Sequence, residues 1–141
     1  MRLWIDTEFN GFNGELISMA LVDECHRQLY FVLFSPLSID PWVAEHVMPF
    51  LGKYPIDRSV AQGYLQSFLM KYDKVHLIAD WPEDIAHFCR FLITTPGERL
   101  TTPPLTMEIR RDLDAVSDVP HNALSDAIAM RNRHLEMESS K

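Results

Sequence analysis

The strongest constraint on the fold is that acidic side chains lie inside or close beside the most apolar segments of the chain. Asp6 and Glu8 belong to the first strand-like segment, Asp84 follows a short apolar segment, and Asp126 stands among alanine, leucine and isoleucine near the C-terminus. Four carboxylates brought together would repel one another strongly, and burial would strip their hydration. A fold that gathers them therefore needs divalent cations, which prefer oxygen ligands.

Length and composition limit what this site can be built from. The 141 residues predict one domain, 1–141, which is long enough to bury a substantial core. The formal net charge of −7 argues against a broad basic surface for nucleic acid, although it is compatible with a small acidic site that meets phosphate through metal ions. No segment approaches the ~20 apolar residues of a membrane span. The two cysteines lack metal-type spacing and the N-terminus is unlike a secretory signal, so we expect a cytoplasmic protein without a membrane partner.

The apolar pattern predicts three strands followed by helices that alternate with strands. Strands are expected at 2–7, 16–22, 29–34, 75–79 and 105–109. Helices are expected at 41–51, 58–72, from 82 onwards and at 123–136, and the two Asn-Gly pairs within 9–14 predict a tight connection. This order is typical of an α/β fold of the ribonuclease H-like kind, in which helices flank a mixed sheet of three antiparallel strands and further parallel strands.

The first acidic pair has the spacing of two ligands on one strand. Asp6 and Glu8 are two positions apart, so both carboxylates project from one face of the strand while Thr7 points to the other. Two adjacent carboxylates suit Mg²⁺ or Mn²⁺. The alternative is an acidic pair that faces solvent on an edge strand.

The third acid has two candidates. Asp84 falls in the first turn of the helix that Pro82 opens, where an acid also stabilises the helix dipole. Asp80 lies just before that helix and is equally suited to cap it. Both follow directly after a short apolar strand, which is where α/β proteins place their functional sites.

A histidine and an acid come together near the start of the last helix. Five positions within one helix would set His121 and Asp126 about 140° apart, on different faces. We therefore expect the helix to begin after His121, so that this histidine lies in the preceding loop and leans towards Asp126. Histidine exchanges protons near neutral pH and is well suited to take a proton from water. The alternative for His121 is a residue at the helix start with no functional role.

These segments form an ordered set of motifs that spans nearly the whole chain. They read Asp-Thr-Glu at 6–8, Ala-Asp-Trp-Pro-Glu-Asp at 79–84 and His-Asn-Ala-Leu-Ser-Asp-Ala at 121–127. The set resembles the DEDDh branch of the DnaQ-like 3′-5′ exonucleases, which is marked by Asp-x-Glu on the first strand, a middle Asp, and His-x-Ala-x-x-Asp-Ala at the last helix. Within that branch the chain is most similar to the ribonuclease AS-type exoribonucleases of bacteria and phages.

The resemblance implies a two-metal nuclease that removes nucleoside 5′-monophosphates from a single-stranded 3′ end, with RNA favoured over DNA. By that resemblance, the two Mg²⁺ or Mn²⁺ ions would be held by the carboxylates of Asp6, Glu8, Asp84 and Asp126. The general base would be His121. Relatives are often homodimers, so the resemblance also allows a homodimer here. The middle motif departs from the commoner Asn-x-x-Phe-Asp form, which leaves Asp80 as an alternative to Asp84.

The segment that follows the first motif supplies candidate substrate contacts. Phe9 and Phe12 are placed to stack on terminal bases, an interaction worth ~1–3 kcal/mol per base. Asn10 and Gly11 would let the backbone approach the terminal sugar. For each phenylalanine the alternative is packing under a hairpin, and for Asn10 and Gly11 it is simply to make the turn.

Two other functions are compatible with the same residues. One is a ribonuclease H-type endonuclease, and the other is a catalytically silent nucleic-acid or protein-binding module with this fold. The position of His121 near Asp126 favours activation of water at a strand end over the first alternative. Because all five positions of the metal ligands and the general base carry the expected residues, a catalytically silent module is disfavoured.

Overall fold

The computed structural model describes residues 1–141 and contains eight strands and four α-helices. The strands are β1 (Arg2–Phe9), β2 (Leu16–Asp23), β3 (Gln28–Leu33), β4 (Pro55–Ile56), β5 (Val75–Ala79), β6 (Ile93–Thr95), β7 (Glu98–Arg99) and β8 (Leu105–Ile109). The helices are α1 (Pro41–His46), α2 (Arg58–Leu69), α3 (Pro82–Phe91) and α4 (Ala123–Ser139), and a short 3-10 helix spans Met48–Phe50.

Six strands form one mixed sheet in the order β4-β3-β2-β1-β5-β8. β1, β2 and β3 are antiparallel neighbours because short connections join them. β5 runs parallel to β1 and β8 runs parallel to β5, and α3 lies in the connection between β5 and β8. The predicted fold class is confirmed: a mixed central sheet is flanked by helices, in an arrangement compatible with a ribonuclease H-like fold.

Both faces of the sheet are covered, and β1 shows how. Its side chains alternate, so that Leu3 and Ile5 join the core cluster that includes residues of α2 and α3. Trp4 points the other way and packs with Ala127 and Met130 of α4. Every residue of β2 is buried, as expected of a strand covered on both sides. Acidic side chains on β1 can therefore stay accessible only towards the carboxyl end of that strand.

The first helix is shorter than the sequence pattern predicts. Asp40 caps it as expected, because its carboxylate accepts hydrogen bonds from the backbone N–H groups of Trp42 and Val43. The expected continuation to residue 51 is wrong, since α1 ends at His46 and the chain continues in the 3-10 helix. Pro49 explains the break, because proline has no N–H to donate and its ring clashes with the carbonyl one turn earlier.

The remaining differences concern element ends and very short strands. α2 ends at Leu69, before the expected 72, and α4 runs on to Ser139, past the expected 136. β4 and the hairpin of β6 and β7 were not expected, because strands of two or three residues are too short to show an alternating pattern. No helix of the chain combines the length and the apolar character that crossing a membrane requires.

Truncation of a core residue of α3 tests the packing described here. Phe88 is fully buried, so Phe88→Ala is expected to lower the free energy of unfolding by about 3–5 kcal/mol, because apolar packing is removed and a cavity is left behind. Phe12→Ala is the matched control, since Phe12 is 81% exposed and its truncation should change stability by less than about 0.5 kcal/mol. Urea unfolding followed by circular dichroism measures both, and equal losses of stability would contradict the packing of α3.

Candidate metal centre and active site

Five acidic side chains converge near the carboxyl ends of β1 and β5. Carboxylate oxygens of Asp6, Glu8 and Asp126, here called the first triad, lie within 4.8 Å of one another. Oxygens of Asp6, Asp80 and Asp84, here called the second triad, also lie within 4.8 Å of one another. Asp6 belongs to both triads and stands at the centre of the cluster.

β1 presents the two acids that come first in the chain. Asp6 pairs with Ala20 of β2 and Glu8 with Ser18, so both lie within the regular antiparallel ladder. Because side chains alternate along a strand, Asp6 and Glu8 share the face of Trp4, on the side covered by α4. The register shifts immediately after Glu8, where the strand leaves the sheet.

The second triad is completed from the start of α3. Asp84 is buried, and its carboxylate accepts a hydrogen bond from the Thr7 hydroxyl, which β1 points to that side of the sheet. Asp80 directly follows β5, and Arg111 Nη1 donates to its backbone oxygen at 2.8 Å. Burial raises the pKa of Asp80, and the charge of Arg111 opposes that rise. The sequence left Asp80 as an alternative to Asp84, and the structure places both beside Asp6.

The start of α4 positions Asp126 and His121. Asn122 caps this helix, since its side-chain oxygen accepts from Ser125 N at 3.0 Å, and Asp126 follows in the first turn. His121 lies before the cap, in the connection where the sequence placed it, with φ of +67° in the left-handed region. Burial raises the pKa of Asp126, opposed by a hydrogen bond from Ser117 and by the charge of His121. Ser117 and His121 therefore both favour the ionised form of the Asp126 carboxyl.

Two residues of α1 border His121 and were not singled out by the sequence. The Trp42 ring meets the His121 ring edge-on, with centroids 5.0 Å apart. His46 stacks on Trp42 at 4.5 Å, and its ring centroid is 6.4 Å from that of His121. Trp42 and His46 are four positions apart on one predicted helix, so the sequence indicates that they lie close together. The sequence gives no sign of their contact with His121, which lies far along the chain.

Burial and mutual repulsion raise the pKa values of the central carboxyl groups. For Asp6, burial followed by the charges of Asp84 and Glu8 raises the pKa well above its ordinary range. Burial, with the charges of Asp126 and Asp84, raises the pKa of Glu8 to about 9. Burial raises the pKa of Asp84 to about 7, even though the hydrogen bond from Thr7 opposes the rise. Without a compensating cation the cluster retains protons near neutral pH.

The carboxylate cluster fits divalent cations. Asp6 Oδ2 is buried and has no hydrogen-bond partner in the protein, which is costly unless a proton or a cation lies beside it. The donors are all carboxylate oxygens, the ligand type that Mg²⁺ and Mn²⁺ prefer. The first triad would hold one ion and the second triad another, with Asp6 shared between them.

Two of the predicted substrate contacts are engaged within the protein. The Phe9 ring is half buried and stacks on the His87 ring with centroids 4.9 Å apart. Asn10 holds the loop before α1, since its amide donates to Ser38 O at 2.7 Å and accepts from Asp40 N at 2.8 Å. These contacts organise the edge of the site.

The other two predicted contacts lie at an open surface. Gly11 has φ of +77°, a backbone conformation that glycine adopts without strain, and it turns the chain back towards β2. Phe12 is 81% exposed, and its ring lies 6.0 Å from that of Trp81, between Asp80 and α3. The Arg111 guanidinium covers the Trp81 ring at 4.6 Å. An aromatic surface with a cation beside it therefore adjoins the second triad.

No protein-family model matches the chain, and no curated protein matches it either. The two triads and His121 therefore carry the functional assignment.

In the presence of a chelator, the free energy of unfolding is expected to fall as the pH rises from about 4 to about 9. The unfolded carboxyl groups release their protons near pH 4, whereas folding raises the pKa of Asp84 to about 7 and that of Glu8 to about 9. Stability is therefore highest while these groups are protonated and is lost as they ionise. Mn²⁺ should restore it, so that Mn²⁺ raises the melting temperature more at pH 8 than at pH 5 in scanning calorimetry.

Asp6→Asn separates this effect from general charge effects. At pH 8 in chelator it should raise the free energy of unfolding by about 1 kcal/mol or more, because it relieves repulsion at the centre of the cluster. Asp73→Asn makes the same chemical change at an exposed position and should have little effect. The assignment of a metal centre would be contradicted if the free energy of unfolding did not vary with pH over this range and Mn²⁺ did not change the melting temperature.

Proposed function

We propose that the chain is a metal-dependent 3′-5′ exonuclease that releases nucleoside 5′-monophosphates from single-stranded 3′ ends, with RNA favoured over DNA. The observation that carries the proposal is that two carboxylate triads share Asp6, and that His121 directly precedes the cap of the helix that carries Asp126. The direction of cleavage and the preference for RNA rest on the resemblance of the motifs to the DEDDh exonucleases.

The chain contributes a set of charges that is held in place before the substrate binds. Mg²⁺ or Mn²⁺ bound by the triads would supply positive charge to the scissile phosphate and would make a water molecule more acidic. The hydrogen bond from Thr7 orients Asp84, and Arg111 holds the backbone at Asp80. Positioning and charge neutralisation of this kind account for most of the rate in phosphoryl chemistry.

His121 is the proposed general base. Its half-buried ring rests against the edge of Trp42, and the imidazole nitrogens make no hydrogen bond to the protein that would prevent them from accepting a proton from water. Asp126 would stabilise the imidazolium that forms. As the water oxygen bonds to phosphorus, the bond from phosphorus to the 3′ oxygen of the preceding nucleotide breaks. That oxygen takes a proton from solvent and becomes the 3′ hydroxyl of the shortened strand, and the terminal nucleoside 5′-monophosphate is released.

The aromatic surface beside the second triad is proposed to hold the terminal bases. Phe12 offers an exposed face next to Trp81, and stacking on such rings tolerates any base. Arg111, over the Trp81 ring, would add a positive charge near the phosphate backbone. This arrangement would bind a strand end without reading a particular sequence.

We also propose a cytoplasmic setting and a homodimer. The exposed Cys25 and Cys89 are both free thiols, and a reducing compartment would keep them so. In a homodimer, a second copy could bring basic residues to a site that is acidic in the single chain. The substrate would be a single-stranded RNA or DNA end, with no membrane involved.

Degradation of end-labelled oligomers tests the proposed reaction. With Mn²⁺ at neutral pH, single-stranded RNA should be shortened from its 3′ end to nucleoside 5′-monophosphates, faster than matched DNA. Asp6→Asn should lower the rate by at least about a hundredfold, since Asp6 belongs to both triads. Asp73→Asn, at an exposed position, should retain the wild-type rate.

Substrate form decides between the proposal and its alternatives. Circular RNA should stay intact, because an exonuclease needs a free end, and opening of the circle would instead indicate an endonuclease. Linear RNA that stays intact under all these conditions would contradict nuclease activity and leave a binding module.

Replacement of the proposed base separates catalysis from metal binding. His121→Asn should lower kcat by about 10²–10⁴-fold, the usual contribution of a general base, while the Mn²⁺-dependent rise in melting temperature remains. Single-turnover cleavage and calorimetry on the same protein measure the two effects. Loss of the Mn²⁺ effect in this variant would make His121 a metal ligand, and an unchanged kcat would remove it from the mechanism.

A further inference from the structure

A cavity of about 630 Å³ lies on the other side of the β1–β2 connection from the carboxylate cluster. It is bordered by that connection, by the segment after β3 and by the first residues of α2 and part of α3. Its lining includes Asn13, Phe34, Arg58, His87 and Arg90. None of these residues takes part in the proposed metal centre.

Two arginines border this cavity without carboxylate partners. No ion pair joins Arg58 or Arg90 to an acidic side chain. The Arg58 guanidinium lies 4.6 Å above the Phe91 ring, and burial lowers the pKa of Arg58 with no neighbouring carboxylate to offset it. Arg90 Nη2 lies 3.5 Å from His87 Nδ1. Both guanidinium groups therefore keep unused donors that suit a phosphate.

His87 lies in the wall between these arginines and β1. The residue is only 5% exposed, and its Nε2 atom is buried without a hydrogen-bond partner. Burial lowers the pKa of His87, and the charges of Arg90 and Arg58 lower it further, against the opposing charge of Glu83. These two arginines therefore add positive potential at this point of a protein whose formal charge is −7.

The first turn of α2 adds backbone donors at the same place. Asp57 precedes this helix, but its side chain makes no capping hydrogen bond, so the first N–H groups of the 12-residue helix lack a side-chain acceptor. Such groups bind anions, and the helix dipole favours negative charge there. Asp57 and Glu15 also border the cavity, and they are exposed to solvent as Arg58 and Arg90 are. Solvent therefore screens the repulsion of an anion by the acids and its attraction by the arginines alike, and direct hydrogen bonds from the guanidinium and backbone N–H groups would supply the binding.

The cavity and the carboxylate cluster are connected through shared elements. Phe9, which stacks on His87, directly follows Glu8 on β1, and His87 lies about one helical turn after Asp84 on α3. Glu83 links them further, since its Oε2 atom accepts from Asn13 N at 2.6 Å. The cavity and the carboxylate cluster are therefore built on the same two elements, β1 and α3, with the β1–β2 connection between them.

We propose that this cavity binds an internal phosphate of the substrate strand, upstream of the nucleotide that is removed, through Arg58, Arg90 and the first turn of α2. The assignment rests on the proposed exonuclease function. It explains how an acidic chain can hold a strand beyond its last nucleotide. A free phosphate or a mononucleotide presents the same chemical group, so the test has to distinguish a strand from a free anion.

Binding without cleavage provides the direct test. The probe is 5′-labelled RNA of two or eight nucleotides whose 3′-terminal linkage is a non-hydrolysable phosphonate, bound in Mn²⁺ and followed by fluorescence anisotropy. Arg58→Gln combined with Arg90→Gln should raise Kd for the eight-nucleotide strand by about tenfold or more, and leave the dinucleotide unaffected. The dependence of log Kd on log salt should become shallower by about 0.7 for each phosphate that the double variant no longer neutralises.

A matched control and a charge scan make the result specific. Arg133→Gln removes an exposed arginine of α4, outside the cavity, and should leave both Kd values unchanged. Upstream phosphates of the strand are replaced one at a time by uncharged methylphosphonates. At one position the replacement should raise Kd for the wild type, and the same replacement should leave Kd for the double variant unchanged. Equal affinity of the wild type and the double variant for the eight-nucleotide strand would overturn the proposal.

The outcomes also separate this inference from the proposed function. If RNA is degraded normally while the double variant binds both strands like the wild type, the cavity assignment fails and the exonuclease stands. If strands bind in the arginine-dependent way but are never cleaved, the strand-binding site stands without the exonuclease. Binding of inorganic phosphate that the double variant loses, without any dependence on strand length, would assign the cavity to a free anion and overturn the strand assignment.

Discussion

Mutual repulsion of the carboxylates around Asp6 is the largest energetic demand that this fold has to meet. This carboxylate contributes to two triads, and one of its oxygens is buried without a hydrogen-bond partner. A cluster of this kind destabilises the folded chain unless protons or cations neutralise it. The surrounding core has to hold the acidic side chains together against that repulsion. In the proposed function the same cluster binds divalent ions, so that one set of charges would affect both stability and activity.

The packing that holds the cluster comes from both faces of the sheet. On one face, Thr7 of β1 binds Asp84 at the start of α3. On the other, Asn122 caps α4 and also donates to Phe50 O at 2.8 Å, which joins the start of α4 to the segment after α1. That connection sets the turn in which His121 adopts a left-handed conformation, a local strain of the kind that often accompanies function. The acids need no long loops, because each lies in or next to a regular element.

Much of this arrangement was readable from the sequence. The alternation in β1 placed Asp6 and Glu8 on one face, and the spacing of His121 and Asp126 required the helix to start between them. The parts of the site that the sequence did not predict depend on contacts between segments that are distant in the chain. Asp80 joins the cluster only because β5 lies beside β1, and Trp42 reaches His121 only because α1 packs near the start of α4. Pro49 was a sign in the sequence that α1 would end early, because proline has no backbone N–H to donate. The prediction of this helix used the apolar pattern, which does not depend on N–H groups.

An anomalous-scattering map from crystals grown with Mn²⁺ tests the proposed two-metal centre most directly. Two peaks are expected, one within reach of Asp6, Glu8 and Asp126 and the other within reach of Asp6, Asp80 and Asp84. A single peak bound by one triad would retain a metal centre but remove the shared role of Asp6. A map without any peak at these carboxylates, with Mn²⁺ present in excess, would contradict the assignment of a metal centre.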